Sequence, residues 1–354
     1  MEIIFTKESS WLQQWDEFVL QQNVANHLLL SAWNRSFISY GFDYEVALLV
    51  ENNTIIGGFA GVIAKVAFFK FYIVPFGPIT VQSKTQHLNE LLAKVSERAK
   101  TLGCCYAHVS LPLSDSNNPH VYPITDFQAL ASAQKGHRFK YVYSAYGINW
   151  KSVQGYETEE DFINSFRASV RRYIRSAQRK GLELRFLQEE NAVKQAYDLC
   201  LENATTNGYA LRSWSAFKST IMTLIQNRQA YFLGAFHEGT IKGASLIIKA
   251  GNHYTYILGG TKKEKPDFLA GHFLHFEAMR LALHDNLSGY NISLGGSKGV
   301  ISLKSSYADE QIYFDHGKYH WILLPSYFKA YLFFDKYLKK YKKPIAKLLS
   351  FFKR

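Results

Sequence analysis

The 354 residues carry 41 Lys/Arg against 29 Asp/Glu, a formal net charge of +12, and 47% of them are apolar. That apolar share can bury two cores, which excludes a disordered or fibrous chain, and the charge asks for an anionic partner such as nucleic acid, nucleotide or acidic lipid. The three cysteines, Cys104, Cys105 and Cys200, have no metal-like spacing, which argues against a disulfide framework or a zinc site and fits a reducing cytoplasm.

In chain order, Glu2–Phe5 reads as a strand and Ser9–Gln22 as a helix. Residues 47–63 form a hairpin around the turn Asn52-Asn53. A strand-like run at Phe71–Gly77, a helical pattern over Lys84–Leu102, Gly103 and a strand at Tyr106–Leu111 follow. The order then returns. Strand Leu182–Phe186, helix Asn191–Asn203 and a hairpin over 233–248 turning at Glu238-Gly239 lead to strand Tyr254–Leu258, helix Gly271–Leu287 and strand Tyr290–Leu294. Thr54-Ile55-Ile56-Gly57 aligns with Thr240-Ile241-Lys242-Gly243 at an offset of 186. Each half is β–α–β–β–β–α–β in roughly 150 residues, an ordinary domain length. This predicts a mixed α/β chain of two tandem GNAT-like (acetyltransferase-type) domains, residues 1–152 and 153–322, related by internal duplication. Lys65, Lys70, Pro75 and Pro78 interrupt the apolar run 55–80, so it reads as strands rather than a membrane span. The N-terminus lacks a signal-peptide pattern, so a cytoplasmic location is expected.

Residues 161–181 predict an amphipathic helix stopped by Gly181. Ile163, Phe166, Val170, Ile174 and Ala177 share its core face. Arg167, Arg171, Arg175 and Arg179 form a ridge at i,i+4 spacing, joined by Arg172 and Lys180, with no carboxylate between Asp161 and Glu183. Like charges so spaced cost roughly 0.2–0.5 kcal/mol per pair, a cost that bound phosphates would offset. The plainer alternative is a solvated basic face helping the helix C-terminus.

The segment from Ser165 to Gly181 resembles the R-x-x-I-x-x-A-x-x-x-G helix of FemAB-type transferases. Leu294-Gly-Gly-Ser-Lys-Gly-Val-Ile-Ser-Leu-Lys304 is similar to that family's glycine-rich segment leading to a lysine, and Leu28 through Trp33 to Tyr40-Gly41 resembles its N-terminal stretch. The resemblance covers most of residues 1–320. It implies two fused GNAT-like domains of the arm-less type, because Gly181 passes directly to Leu182, and wider relatives are acetyltransferase-like proteins. It also implies aminoacyl transfer from aminoacyl-tRNA onto the peptide of a peptidoglycan precursor. Lys304 would contact developing charge or the acceptor's phosphates, Arg212 would bind the acceptor, and Arg35 is a weaker candidate in the first half. Gly295 and Gly296 would let the backbone approach a ligand closely. Tyr256 is read as a ligand contact or cleft wall, and Arg171, Arg172 and Arg175 as phosphate holders.

Acyl transfer to an amine needs a nucleophile freed of its proton and a polarised carbonyl. The turn at Pro266–His272 has a single glycine, so the glycine-rich pyrophosphate cradle of coenzyme A enzymes is incomplete. No base is named. His108 stands where some family members carry an acid, and it reads as structural. His272 and His275 lack a third ligand motif for a metal. No cofactor is implied beyond the co-substrate, aminoacyl-tRNA or an acyl-CoA thioester, and the acceptor is a nucleotide-sugar or lipid-linked glycan. Two alternatives stand: an acyl-CoA N-acyltransferase acting on an amino sugar for a surface polysaccharide, and a non-catalytic tRNA- or membrane-binding module.

Residues 321–354 hold nine Lys/Arg and one acid, Asp335. Tyr327, Tyr331, Phe334, Leu338, Tyr341 and Ile345 predict one helical stripe, with Lys329, Lys336, Lys340 and Lys343 opposite and Pro344 as a kink. The tail 323–354 is expected either to dock its aromatic stripe on the body or to touch an anionic membrane at the inner face, or to do both in sequence.

Overall fold

The computed structural model describes residues 1–124, 134–135, 139, 141–295 and 298–338. Two mixed sheets carry the chain. The first runs in the order Glu2–Thr6, Asp43–Glu51, Thr54–Val66, Phe69–Val74, Tyr106–Ser110, Lys318–Ile322 and Gln134–Lys135. The second runs Glu183–Leu187, Ala230–His237, Thr240–Lys249, His253–Thr261, Gly289–Asn291, Gly147–Ser152 and Glu310–Tyr313. Each sheet has one parallel contact: Phe69–Val74 with Tyr106–Ser110, and His253–Thr261 with Gly289–Asn291. Both are fed by a crossover helix, Leu88–Thr101 and Ala270–His284.

The duplication extends to a structural irregularity. In the first hairpin Leu49 pairs with Gly57 and Val50 with Ile55, looping out Ile56. In the second, Ala235 pairs with Gly243 and Phe236 with Ile241, looping out Lys242. Ile56 and Lys242 are 186 positions apart, the offset of the sequence repeat. Both turns hold two residues at positive φ, Asn52-Asn53 and Glu238-Gly239, as a tight two-residue hairpin requires. Gly243 serves packing as well, because a Cβ there would sit 2.8 Å from the Ala270 Cβ on the crossover helix.

Two strands cross the expected boundaries at 152 and 322. Gly147–Ser152, counted with the first half, pairs on both sides within the second sheet. Lys318–Ile322, counted with the second half, pairs with Tyr106–Ser110 in the first. The cause is long-range: each sheet's outer parallel strand is covered by a strand remote in sequence, a pairing that local periodicity does not encode. Lys151 holds the first exchange. It is fully buried, and its Nζ donates to Asp309 Oδ1 at 2.8 Å, Ser165 Oγ at 2.9 Å and Tyr156 Oη at 3.2 Å, using all three donors.

The arginine segment is two helices, Glu159–Asn164 and Ala168–Gln178, rather than one. Ser165 Oγ donates back to Phe162 O at 2.7 Å at the break. The predicted core face is buried at all five positions, and Gly181 adopts φ +66 as the stop. The closing helix Pro325–Phe333 continues through 334–338 and packs Phe328, Tyr331 and Phe334 on Phe69, Phe71 and Tyr106. Tyr331 and Phe334 face inward as expected. Tyr327 does not: it is exposed, and Phe328 takes its place. Lys340, Tyr341, Lys343, Pro344 and Ile345 lie outside the described residues, as does the side chain of Leu338. Among the described residues no helix is long and apolar enough to cross a membrane.

Candidate functional site

The parallel contact in the second sheet is short. His253, Tyr254 and Thr255 pair with Gly289, Tyr290 and Asn291, and beyond Thr255 the strands part. The fork they leave opens into a cavity of about 1430 Å³. One wall comes from Tyr256–Thr261, the start of the helix Ala270–His284, Ser293–Gly295 and the helix Lys298–Tyr307. The facing wall comes from the first half: His27, Trp33, Phe37, Tyr40, Lys65 and Val66.

Lys304 reaches across the fork. It lies on the helix Lys298–Tyr307, and only 7% of it is exposed. Its Nζ donates to Gly295 O at 2.7 Å and Ser293 Oγ at 2.9 Å, and sits 5.2 Å from the Tyr256 ring centre. No carboxylate pairs with it among the described residues. Burial pushes its pKa down from 10.5 to about 8. At neutral pH it is a protonated amine with one N–H left to aim into the cavity. Tyr256 and Gly295 thus stand beside the lysine as wall and carbonyl acceptor, and Gly296 lies outside the described residues.

Arg212 comes from the loop after the helix Glu190–Thr206 and enters the same cavity. Its guanidinium lies 4.7 to 5.5 Å from the ring centres of Phe217, Phe37, Tyr40 and Trp33. It donates to Ser36 Oγ and has no carboxylate partner among the described residues. An aromatic box holds such a cation without neutralising it, leaving the fork of donors for an anion. The box was half-legible: Trp33, Phe37 and Tyr40 recur at spacings of four and three in the segment that resembled the family, but nothing in sequence brought Arg212 to it.

The remaining wall is mixed: Lys65, Lys262, Asp267 and the Lys242–Glu264 pair carry charge, while the buried histidines are neutral. His27 and His275 are buried and their pKa values are pushed down to about 3 by desolvation. His275 Nδ1 is 3.2 Å from Tyr290 Oη, and His272 Nδ1 is bonded to Tyr307 Oη. Each of these two histidines is therefore tied to a tyrosine. His27 Nδ1, Trp33 Nε1 and Ser245 Oγ line the cavity, buried, with no partner among the described residues. Buried polar atoms left this way are costly and point to a ligand that completes them.

The three arginines expected in the cleft do not line it. Arg171 donates to Asn164 O at 2.9 Å and Phe166 O at 3.1 Å, carbonyls freed by the helix break. Arg175 pairs with Glu160, which lies just before the stretch that looked free of acids. Arg172 is exposed above Tyr173, whose ring stacks on His272 at 4.5 Å. Two of the three thus have partners within the broken helix. Arg35 is also off the cavity. It is exposed, and its Nε lies 3.4 Å from Tyr44 Oη. His108 is buried in the first sheet, away from the cavity.

A FemAB family model matches residues 12–235. The chain belongs to the FemAB family. Among solved structures, FemX superposes with a TM-score of 0.76 at 15% identity, covering 93% of this chain and 99% of that one. L-PGS from Bacillus licheniformis gives 0.51 at 13% identity, covering 88% and 90%. A tandem GNAT protein from the clavulanic acid biosynthesis pathway gives 0.50 at 11% identity, covering 90% and 98%. At these identities the likeness is one of fold: two GNAT-like domains in tandem. No curated protein matches the sequence. Membership of the FemAB family makes the chain a transferase of acyl or aminoacyl groups.

Proposed function

We propose that this FemAB protein transfers an aminoacyl group from aminoacyl-tRNA to an amine on the peptide of a peptidoglycan-type precursor. The observation that carries the reading is that two desolvated cations, Lys304 and Arg212, neither with a carboxylate partner among the described residues, line one cavity built by both halves. The acceptor amine attacks the ester carbonyl, and the carbonyl oxygen gains charge. Lys304, protonated and desolvated, faces that charge. The C–O bond to the ribose breaks, the amide forms, and the proton lost by the amine goes to the leaving hydroxyl. Arg212 holds the diphosphate of the acceptor in the same cavity.

One feature supports an RNA ester over a coenzyme A thioester. At the turn before the helix Ala270–His284, where such enzymes hold pyrophosphate, Asp267 Oδ1 accepts from Leu269 N at 2.8 Å. A carboxylate thus stands at the turn just before the helix and opposes a second anion there. The test is label transfer to a peptide precursor from charged tRNA and, in parallel, from acetyl-CoA. Product from charged tRNA alone is the expected result. Product from acetyl-CoA alone would sink the reading and favour an N-acyltransferase.

A further inference from the structure

Exposed apolar surface is concentrated beside the mouth of the cavity, on two segments that touch. One is the tip of the hairpin joining Thr54–Val66 to Phe69–Val74, where Phe68 is 66% exposed. The other is the closing helix, which turns Phe333 (57% exposed) and Tyr337 (50% exposed) outward, along with Tyr327 and Leu332. Phe69 links them, with its ring 4.2 Å from Phe68, 5.6 Å from Tyr331 and 6.1 Å from Phe334. Both segments also reach the cavity, since Val66 and Phe334 line it. A residue on each segment therefore faces the ligand space while its near neighbour faces outward.

The charge around this patch is mostly positive. Lys65, Lys329 and Lys336 are exposed there. Asp335, the one acid in residues 321–354, accepts from Tyr141 Oη. Residues 339–354, outside the described structure, add seven Lys/Arg and no acid in sequence. Bulky rings flanked by lysines suit the boundary of an anionic bilayer, where rings enter the acyl region and ammonium groups meet headgroup phosphates. A second copy of this chain is a poorer occupant, because its lysines would repel these.

We propose that Phe68, Phe333 and Tyr337 form the face that docks this protein on an anionic lipid bilayer, with the cavity mouth at the membrane surface. Its corollary, which rests on the transferase reading, is that the acceptor is lipid-anchored rather than a free nucleotide-sugar. The test is sedimentation of the full chain with vesicles, without donor or acceptor. Vesicles of phosphatidylcholine with about one-third phosphatidylglycerol should bind it at least roughly tenfold more tightly than phosphatidylcholine alone. The triple variant Phe68→Ser, Phe333→Ser, Tyr337→Ser should lose roughly tenfold or more of that binding while its thermal unfolding is unchanged, since all three rings are exposed. Undiminished binding by the triple variant overturns the docking face, as does a solution dimer that the variant abolishes without any vesicle binding. Because this assay needs no transfer, it stands or falls apart from the proposed reaction. Equal rates on a vesicle-borne acceptor and on the same acceptor released from lipid would overturn the corollary alone.

Discussion

The two halves share a fold down to the looped-out residue in each hairpin, yet among the described residues the second keeps an open fork and the first closes it. In the first half the parallel strands pair over four positions, Phe71 to Val74 with Tyr106 to Val109. The chain then closes the gap. Gly77 N donates to Ser110 O at 3.0 Å, Ala145 N donates to Pro75 O at 3.0 Å, and Ile79–Thr80 folds back onto Gly57-Gly58. Thr80 N donates to Tyr122 Oη at 3.0 Å over the top. In the second half pairing stops after three positions, and the space is lined by Lys304, Tyr256 and His275. Duplication thus yields one scaffold and one site: the closed copy supplies the opposite wall of the other's cavity through Trp33, Phe37 and Tyr40.

The largest effect should follow a change in the open fork. Lys304→Met should lower kcat by roughly 100- to 1000-fold in single-turnover transfer with little change in acceptor binding. The matched change in the closed fork, Tyr122→Phe, should cost about 1 kcal/mol in denaturant unfolding by leaving the Thr80 N–H unpaired, and should keep kcat within about twofold. Equal losses of kcat in the two variants would erase the distinction between the copies. Arg212→Gln should come next, with kcat/KM for the acceptor falling by an amount worth about 2 kcal/mol and most of the loss appearing in KM.

Smaller effects test what lies outside the cavity. Arg175→Ala removes a pair that is roughly half-exposed on both sides, so its cost should be about 0–1 kcal/mol in stability and transfer should be near wild type. A loss of transfer approaching that of Arg212→Gln would return the arginine helix to the site. Acid should unfold the protein through its buried histidines. His27 and His275 are pushed down to about 3 and His120 to about 4. Below pH 6.5 the unfolded chain takes up protons that the native state refuses, so stability should fall steadily between pH 6.5 and about 3. His120→Asn should flatten part of that fall, as read by urea unfolding at several pH values.

Much of this fold was readable because the duplicated hairpins carry their turn chemistry and alternation locally. The strand exchanges at Gly147–Ser152 and Lys318–Ile322 were not, because they pair residues far apart in the chain. Lys304 and Arg212 could be singled out as types in a resembling motif, and the cavity receives both. Arg171 and Arg175 lie off the cavity for a physical reason: an arginine ridge looks unpaired when the helix is taken as continuous, whereas the break leaves Asn164 O and Phe166 O for Arg171 and brings Glu160 to Arg175. The neutral wall of His27, His275 and Ser245 left no pattern in sequence, since those residues come from three separate elements.

The most direct test of the open fork as the reaction centre is the pH–rate profile of transfer, with Lys304→Arg beside the wild type. A protonated Lys304 with a pKa of about 8 predicts a rate that falls as pH rises through 8. The titration of Lys304 itself works the other way on stability: its native pKa lies below the unfolded 10.5, so its own contribution to folding rises with pH between about 8 and 10.5. In Lys304→Arg, whose side chain does not titrate in this range, the residual rate should lose that falling limb. A limb near pH 8 that survives the substitution would assign the titration to another group and contradict the account.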